Sequence, residues 1–294
     1  MTIRPRRSLL YMPGSNARAI EKGRTLPADG LILDLEDAVA PDAKETARRQ
    51  VVEAVQAGGF GPREIFIRIN GFDTPWGADD LAAAADARPD AILVPKVATP
   101  EDIDAVGRRL AALGTSAATR VWAMMETPLA VLNAREIAAA ARNPATRLSG
   151  FVMGTNDLAK ETRARIVPDR APLIPWLMTV LAAARSCGLD IVDGVFNDLA
   201  DTQGLARECQ EARDMGFDGK TLIHPNQIGP CNAAFSPSPA EIDDARKIIA
   251  AFELPENRDK GAIRFDGRMV ERLHAEMARR VVAITDAIAR SARD

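Results

Sequence analysis

The segment LILDLEDAVAPDAKETARRQVVEAVQAGG, residues 31–59, contains the unit that decides the fold. It begins with a short, mostly apolar run, which is typical of a strand that is covered on both faces. The residues after that run have helical periodicity, with the apolar positions on one stripe: Ala43, Ala47, Val51 and Val55. Asp42 followed by Glu45 resembles a capping box at the start of this helix, and the glycines at 58–59 predict its end. The segment is therefore predicted to be one strand followed by one helix.

Further apolar runs of this kind recur along the chain, and longer segments with helical periodicity separate them. The runs are SLLYM (8–12), IFIRI (65–69), AILVP (91–95), VWAMM (121–125), GFVMG (150–154), DIVDG (190–194) and TLIHP (221–225). Eight strands that alternate with helices over about 250 residues are the pattern of a (β/α)8 barrel. A doubly wound sheet would instead predict a G-x-G-x-x-G motif after an early strand, and the turn at residues 12–15 lacks it. We therefore predict an α/β protein with a TIM-barrel catalytic domain over residues 1–252.

The last part of the chain has a different pattern. Residues 253–266 are polar and interrupted by glycine, and an amphipathic helix is predicted to follow them. The apolar positions of that helix are Met269, Leu273, Met277, Val281, Ile284 and Ile288. We interpret residues 253–294 as a C-terminal helical lid and oligomer-contact extension, in which the apolar stripe serves packing.

The composition excludes several classes of protein. With 47% apolar and 27% charged residues the chain is globular, and its formal net charge of -3 provides no basic field for nucleic acid. The three cysteines match neither a zinc pattern nor a disulfide framework, so a reducing, cytoplasmic location is expected. The apolar run from Leu9 to Met12 is too short for a signal peptide or a membrane span, so no membrane partner is expected.

Polar and ionisable side chains follow nearly every predicted strand. They are Asp34, Glu36, Asp37, Arg68, Asn70, Lys96, Glu126, Asn156, Asp157, Asp193 and His224. Active sites of TIM barrels lie at the carboxyl ends of the strands, so these side chains are predicted to share one rim. Carboxylates crowded there would repel one another unless a cation lies among them. A divalent metal ion is therefore expected, although Asp34 and Asp193 could serve only to cap the helices that follow them.

The ligand types indicate which metal this rim would take. Because the chain has no metal-like histidine pair, we expect oxygen ligands and Mg2+, with Mn2+ as the alternative. Glu126 and Asp157 each stand alone directly after a strand and are the predicted metal ligands. Asp34, Glu36 and Asp37 are then expected to accept hydrogen bonds from the metal's waters or to support Arg68.

Basic groups are predicted at the same rim. Arg68 ends an otherwise apolar strand and suits a bidentate grip on a substrate carboxylate, or else it pairs with the acids after the second strand. Lys96 could form a Schiff base as in class I aldolases, or remain charged beside the acids. His224 is interpreted as a hydrogen-bonding wall residue more readily than as a base. No Ser-His-Asp spacing or nucleophile elbow is present, which argues against a serine hydrolase.

Several motifs, taken in their order along the chain, resemble one known family. They are RSLLYMPGS, GLILDLEDAVAPDAKETAR, FIRING, ILVPKV, MMETP, GFVMGTNDLA, DIVDGVFNDLAD and GFDGKTLIHPNQI. Together they resemble the citrate lyase beta-subunit-like branch of the HpcH/HpaI aldolase superfamily, which includes malyl-CoA, citramalyl-CoA and citryl-CoA lyases. The resemblance extends from Arg7 to about Phe252 and continues more loosely through GAIRFDGRMVE.

This resemblance implies a Mg2+-dependent TIM barrel that makes or breaks a carbon-carbon bond between an acyl-CoA and a 2-oxo acid. By position, Glu126 and Asp157 resemble the metal ligands, and Arg68 resembles the arginine that binds the substrate's carboxyl or carbonyl end. Asp37, with Glu36, resembles the acidic pair that holds metal-bound waters. Further positions resemble those that contact CoA: Tyr11, Lys22 and Pro225.

Two positions depart from the family's pattern. Some relatives have an arginine for the CoA phosphates after the Pro-Gly-Ser turn, where this chain has Asn16, with Arg18 two residues later. In lyases of this group a C-terminal aspartate reaches into a neighbouring subunit's site as the acid or base, and here the position is Glu271. A glutamate moves the carboxyl group by more than about 1 Å, which can matter greatly in a positioned site.

The predicted function is a Mg2+-dependent carbon-carbon lyase that cleaves or forms a 3-hydroxyacyl-CoA such as malyl-CoA or citramalyl-CoA. Arg68, Asp37 and Glu271 are the predicted catalytic residues, and Glu126 is predicted to contact the substrate as well as the metal. A base supplied by another subunit implies a homo-oligomer, either a trimer or a hexamer. The alternatives are a citrate lyase beta subunit, a malyl-CoA thioesterase, a pyruvate aldolase for CoA-free sugar acids, and a binding subunit without activity.

Overall fold

The computed structural model describes residues 3–292 and contains a closed barrel of parallel strands in the order β1 to β8. The barrel strands are β1 (Ser8–Pro13), β2 (Gly30–Asp34), β3 (Glu64–Arg68), β4 (Ala91–Val94), β5 (Arg120–Met125), β6 (Leu148–Met153), β7 (Asp190–Asp193) and β8 (Gly219–Leu222). Each strand coincides with one of the apolar runs to within a few residues. The prediction of a (β/α)8 TIM barrel is therefore confirmed.

Helices connect the strands and complete the chain. Within residues 3–292 the α-helices are α1 (Ala17–Gly23), α2 (Lys44–Ala57), α3 (Gly77–Ala87), α4 (Pro100–Ala112), α5 (Pro128–Leu132), α6 (Ala134–Ala139), α7 (Thr155–Thr162), α8 (Ile174–Ser186), α9 (Thr202–Met215), α10 (Ile228–Phe235), α11 (Pro239–Glu253) and α12 (Arg272–Ser291). No helix in this part of the chain combines the length and apolar character needed to cross a membrane.

The start of α2 differs from the sequence prediction. A short 3-10 turn, Pro41–Ala43, precedes the helix, and α2 begins without a side-chain cap. The capping box expected from Asp42 and Glu45 was therefore wrong. Pro41 occupies the first position of the turn, where its fixed φ angle starts the helical backbone before Asp42.

Strand alternation decides which side chains enter the barrel. The interior is filled by one apolar cluster, Leu9, Ile32, Phe66, Ala91, Leu93, Trp122, Met124, Val152 and Val192, with Tyr11 packed against it. Asp34 and Arg68 are register partners and lie two positions beyond Ile32 and Phe66. Both polar side chains therefore face inward at the carboxyl end of the barrel, directly above the apolar filling.

The chain divides into two compact units, and the first one, Arg6–Phe235, contains the barrel. Among the described residues, the other unit is formed by residues 3–5 and 236–292. The sequence had suggested a boundary after residue 252. The structure instead groups α11 with the C-terminal segment, because its buried residues share one apolar core with α12: Ala245, Ile248, Phe252, Ala275 and Ala278.

The C-terminal unit also contains an antiparallel hairpin that the sequence did not indicate. Its strands are β9 (Ala262–Phe265) and β10 (Arg268–Glu271), and α12 begins directly after the second strand. Met269 therefore lies on a strand, whereas the periodicity had placed it on the helix. Each strand buries one apolar side chain, Ile263 or Val270, so the alternation signal is too short to recognise in the sequence.

Candidate active site

An ion pair between β2 and β3 lies at the predicted rim. Arg68, the last residue of β3, donates from Nε to Oδ1 of Asp34 at 2.6 Å and from Nη2 to Oδ2 at 2.7 Å. Burial opposes both charges, but Arg68 lowers the pKa of Asp34, and Asp34 raises the pKa of Arg68. Asp34 also accepts the backbone N–H groups of Glu36 and Ala38. The bidentate grip of Arg68 is thus directed at this chain's own aspartate, which in turn anchors the loop after β2.

The third nitrogen of Arg68 faces the acids of that loop. Nη1 lies 2.8 Å from Oε2 of Glu36 and 3.5 Å from Oδ2 of Asp37. Although Oε2 of Glu36 is buried, no donor hydrogen points directly at it. The Tyr11 ring packs on the guanidinium, with Cζ of Arg68 4.7 Å from the ring centre. Nη1 is therefore the nitrogen that Asp34 leaves available to a substrate oxygen.

Glu36 is a buried carboxyl group in a strongly charged environment. Burial raises the pKa of Glu36 to about 8, and Arg68 opposes this change while the carboxylates of Glu126 and Asp37 add to it. Burial likewise raises the pKa of the Tyr11 hydroxyl, so the phenol stays protonated. The carboxyl group of Glu36 therefore holds a proton more readily than an exposed glutamate does.

Glu126 is the second buried carboxyl group of the rim and directly follows β5. Its side chain is 1% exposed, and Oε1 accepts the backbone N–H of Lys96 at 2.7 Å. Burial raises the pKa of Glu126 to about 7, the hydrogen bond from Lys96 and the charge of Arg68 lower it, and Asp157 adds to the rise. A carboxyl group with this balance is suited to take up a cation in place of a proton.

Lys96 contributes its backbone more than its side chain. Its φ angle of 52° is left-handed, which is uncommon for a residue with a side chain, and this conformation accompanies the N–H bond to Glu126. The side chain is exposed. Burial lowers its pKa, but Glu36 and Glu126 raise it to a net value above the ordinary one. A raised pKa favours the charged lysine over the Schiff-base alternative.

Asp157 lies in the first turn of α7, and Gly154 is the residue that caps this helix. The absent side chain of Gly154 makes room for Glu126, because a Cβ atom there would lie 2.5 Å from Oε2 of Glu126. The Asp157 carboxyl is half-buried and close enough to raise the pKa of Glu126. Gly154, between β6 and α7, thus allows the Glu126 side chain to lie at the same part of the rim as Asp157.

The donor set fits a hard divalent cation. Glu126 and Asp157 would supply carboxylate oxygens, and Glu36 is a further buried carboxyl group at the same rim. Within residues 3–292, no three side chains of histidine, cysteine, aspartate or glutamate converge as a complete ligand cage. Mg2+ usually takes one or two protein carboxylates and keeps several waters, so a pair of ligands suits it.

Two residues expected at the rim have other roles in the structure. Asp193 faces the helices, where it accepts from Nζ of the buried Lys220 at 2.7 Å and from Nη1 of Arg170 at 2.8 Å. The expectation that Asp193 reaches the rim was wrong, because its neighbour Val192 takes the inward position of β7. His224 lies beyond the end of β8, and its Nδ1 accepts the backbone N–H of Asn226 at 3.2 Å.

The remaining predicted residues are spread over both units. Tyr11 is half-buried on β1, Lys22 is exposed on α1, and Pro225 begins a half-buried 3-10 turn after β8. Glu271 belongs to the C-terminal unit, where its exposed carboxylate accepts the backbone N–H of His274 at the start of α12. In return the N–H of Glu271 donates to Nδ1 of His274 at 2.9 Å. Three contributors were not predicted from the sequence: Gly154, the N–H of Lys96, and Lys44, whose ammonium group donates to the carbonyl oxygen of Glu36.

Comparisons with known proteins agree with the motifs. A model of the HpcH/HpaI aldolase/citrate lyase family matches residues 7–225. A protein of Cereibacter sphaeroides named (3S)-malyl-CoA thioesterase is 52% identical over 97% of this chain and 96% of the relative. Citrate lyase subunit beta of Escherichia coli is 33% identical over 95% of this chain and 93% of its own.

A solved structure shares the fold over nearly the whole chain. It is the crystal structure of protein CitE from Mycobacterium tuberculosis in complex with magnesium, acetoacetate and coenzyme A. The TM-score is 0.76 at 28% identity, and the match covers 97% of this chain and 98% of that chain. The resemblance to the citrate lyase beta-subunit-like branch is therefore confirmed.

Proposed function

Because the chain belongs to the HpcH/HpaI aldolase/citrate lyase family, we propose that it is a Mg2+-dependent enzyme for a 3-hydroxyacyl-CoA of the malyl-CoA type. The substrate class is supported by the 52% identity with proteins named (3S)-malyl-CoA thioesterase, over nearly the whole length of both chains. The metal is supported by the rim itself, where two carboxyl groups hold raised pKa values beside a buried arginine. The solved relative that contains magnesium and coenzyme A has the same fold.

Glu126 and Asp157 would hold the Mg2+, with Mn2+ as a substitute. Oε1 of Glu126 accepts a hydrogen bond from the backbone N–H of Lys96, and Asp157 is positioned by the first turn of α7. When bound, the metal would supply Lewis-acid polarisation of the substrate's oxygens and neutralise charge that develops there. Its binding would also stabilise the ionised form of Glu126, whose pKa is otherwise about 7.

Arg68 would orient the acidic end of the substrate. Asp34 fixes the plane of the guanidinium, and Nη1 is directed toward the side of the rim where Glu36 lies. A substrate carboxylate at Nη1 would replace part of the interaction with Glu36 and Asp37. Those two acids would then accept hydrogen bonds from water or from the substrate hydroxyl. The apolar filling of the barrel excludes bulk water from below.

We propose thioester hydrolysis as the first reaction to test. A water molecule attacks the thioester carbonyl carbon and forms a new carbon-oxygen bond. The carbon-sulfur bond then breaks, and the thiolate of CoA takes up a proton. The products are malate and free CoA. Asp37, which is exposed at the rim 3.5 Å from Nη1 of Arg68, is the group that could receive the proton of the attacking water. The names of the relatives at 52% identity favour this reaction.

Carbon-carbon cleavage is the second candidate, and the family favours it. Here the substrate hydroxyl loses a proton, and the bond between the hydroxyl-bearing carbon and the CH2 group beside the thioester breaks. The thioester enolate that forms is then protonated. Malyl-CoA would give glyoxylate and acetyl-CoA. Glu271 of an adjacent subunit is the proposed base, which requires a closed oligomer such as a trimer or hexamer. A citrate lyase beta subunit would act on a citryl thioester by the same chemistry.

Contacts with the CoA part complete the proposal. Tyr11 lies on β1, Lys22 lies on the helix after β1, and Pro225 lies in the turn after β8; the two strands are neighbours in the barrel. Lys22 is exposed and offers a positive charge to a phosphate, whereas Tyr11 offers an apolar face. Both groups are therefore suited to the CoA thioester and would not distinguish the two reactions.

One assay separates the candidates. Purified protein is incubated with malyl-CoA and Mg2+, and free thiol, malate, glyoxylate and acetyl-CoA are measured in the same samples. Free thiol with an equal amount of malate supports hydrolysis, and glyoxylate with acetyl-CoA supports carbon-carbon cleavage. Glu161→Gln, an exposed change on α7, serves as the control beside Glu126→Gln. Turnover that persists without divalent metal, or in Glu126→Gln, would overturn the proposal.

A further inference from the structure

Lys44 is a buried lysine that the proposed chemistry does not use. It is the first residue of α2, its side chain is 6% exposed, and its ammonium group donates three hydrogen bonds. The acceptors are the carbonyl oxygen of Leu35 at 2.9 Å, that of Glu36 at 2.8 Å, and Oδ1 of Asn70 at 2.8 Å. All three N–H donors of the ammonium are therefore occupied.

The two carbonyl groups lie on either side of one residue. The carbonyl of Leu35 belongs to the peptide plane before Glu36, and the carbonyl of Glu36 belongs to the plane after it. Holding both planes leaves Glu36 with one backbone conformation, so the direction of its Cβ atom is set. The second plane also contains the backbone nitrogen of Asp37, and the position of that residue is set with it.

Asn70 connects this loop to the strand that carries Arg68. Its Nδ2 donates to the carbonyl of Leu35 at 2.7 Å and to Oδ2 of Asp80 at 2.6 Å. Asp80 in turn accepts from Nε of Arg48 at 2.6 Å. Lys44 is thus the centre of a buried network that ties the loop after β2 to the loop after β3.

We propose that Lys44 is a positioning residue, which sets the directions of Glu36 and Asp37 through the backbone between them. The inference rests on the proposed function, because the two carboxyl groups matter only if the rim binds a cation and a substrate. Lys44 itself contacts neither of the two carboxyl groups. Groups behind the direct ligands commonly change metal affinity by about 10- to 100-fold when they are removed.

The test measures Mg2+ binding by calorimetry in metal-free Lys44→Met, together with kcat and the urea unfolding midpoint. We expect at least about tenfold weaker Mg2+ binding and a lower kcat in protein that is still folded. Lys220→Met is the matched control. It also removes a fully buried ammonium, but one that pairs with Asp193 and Glu208 away from the rim. We expect this control to lose stability and to keep the Mg2+ affinity of the wild type.

Asn70→Ala is the second variant and decides the question if Lys44→Met does not fold. It removes one of the three acceptors of Lys44 and leaves both carbonyl contacts, so we expect weaker Mg2+ binding than in the wild type and a smaller loss than in Lys44→Met. Folded Lys44→Met or Asn70→Ala with the Mg2+ affinity of the wild type would overturn the inference. Equal weakening in Lys220→Met would overturn it too. A wild-type protein that binds no Mg2+ would instead refute the proposed function, and this inference with it.

Discussion

Asp34 holds the guanidinium of Arg68 through two parallel hydrogen bonds of 2.6 and 2.7 Å, and both side chains are buried at the carboxyl end of the barrel. The arginine is therefore oriented before any substrate arrives. Removing one partner of a buried ion pair costs about 3–5 kcal/mol, because the other charge remains without compensation. We expect Asp34→Ala to lose stability on this scale in urea unfolding.

The control for this prediction is an exposed ion pair in the same chain. Lys247 and Asp243 form such a pair on α11, four residues apart. Solvent screens it, so we expect Lys247→Ala to leave the unfolding midpoint unchanged. An Asp34→Ala protein as stable as the Lys247→Ala protein would show that Glu36 and Asp37 are sufficient partners for Arg68.

A second prediction concerns the glycine beside Glu126. In Gly154→Ala the new Cβ atom would lie 2.3 Å from Cβ of Glu126 and 2.5 Å from its Oε2, so the glutamate must move. The φ angle of Gly154 is -98°, outside the left-handed region, so the variant tests the crowding of Glu126 and not the loss of a left-handed backbone. We expect Mg2+ affinity to fall by about tenfold or more, as measured by calorimetry.

Gly229→Ala is the matched control, because no atom lies within 4 Å of a Cβ built at that position. This variant should bind Mg2+ as the wild type does. Gly154→Ala with unchanged Mg2+ affinity would mean that Glu126 is not a metal ligand in the orientation described.

The sequence was sufficient to predict the barrel and most of its rim. Eight apolar runs locate the strands, and the rule that TIM-barrel sites lie at the carboxyl ends places Glu126, Asp157 and Arg68 together. The same runs could not show which side chains point inward, since a strand buried on both faces has no alternation. This is why Asp193 was expected at the rim although it pairs with Lys220 on the helix side.

The roles of the Lys96 N–H and of Lys44 could not be predicted from the sequence for a different physical reason. The N–H of Lys96 reaches Glu126 through a left-handed backbone, and backbone conformation at a non-glycine residue leaves no pattern in the sequence. Lys44 was assigned to a helix, and nothing in its spacing indicates that its ammonium turns back to the carbonyl groups of Leu35 and Glu36. Such tertiary hydrogen bonds require the loop to be folded first.

The pKa values of the rim predict how Mg2+ affinity depends on pH. Glu126 has a pKa of about 7 in place of its ordinary value of 4.5, and Mg2+ must displace its proton. The affinity should therefore rise by up to about tenfold per pH unit below pH 7, and rise further until Glu36 ionises near pH 8. Calorimetric titration with Mg2+ in a series of buffers measures this curve.

Glu36→Gln provides the internal comparison for the pH series. We expect this variant to keep the rise through pH 7 and to lose the further rise toward pH 8. An affinity that stays flat from about pH 6 to about pH 8 would contradict the assignment of Glu126 as a ligand whose proton competes with the metal.

The proposed role of Glu271 in another subunit can be tested by mixing. Glu126→Gln and Glu271→Gln proteins should each be inactive in carbon-carbon cleavage, whereas subunits mixed during refolding should recover about a quarter of the activity. In a closed oligomer mixed in this way, about a quarter of the sites combine an unchanged Glu126 with an unchanged Glu271 from the neighbouring subunit. Glu276→Gln, another exposed glutamate on α12, should be fully active. A mixture without recovery would exclude a base supplied in trans.

The most direct measurement is a calorimetric titration of Mg2+ into metal-free protein at about pH 8, above the pKa of Glu126. We expect close to one ion per chain in the wild type and in Glu161→Gln, and binding weaker by about tenfold or more in Glu126→Gln and in Asp157→Asn. A wild-type protein that binds no Mg2+, or one whose affinity is equal in all of these variants, would contradict a metal-assembled site at the barrel rim.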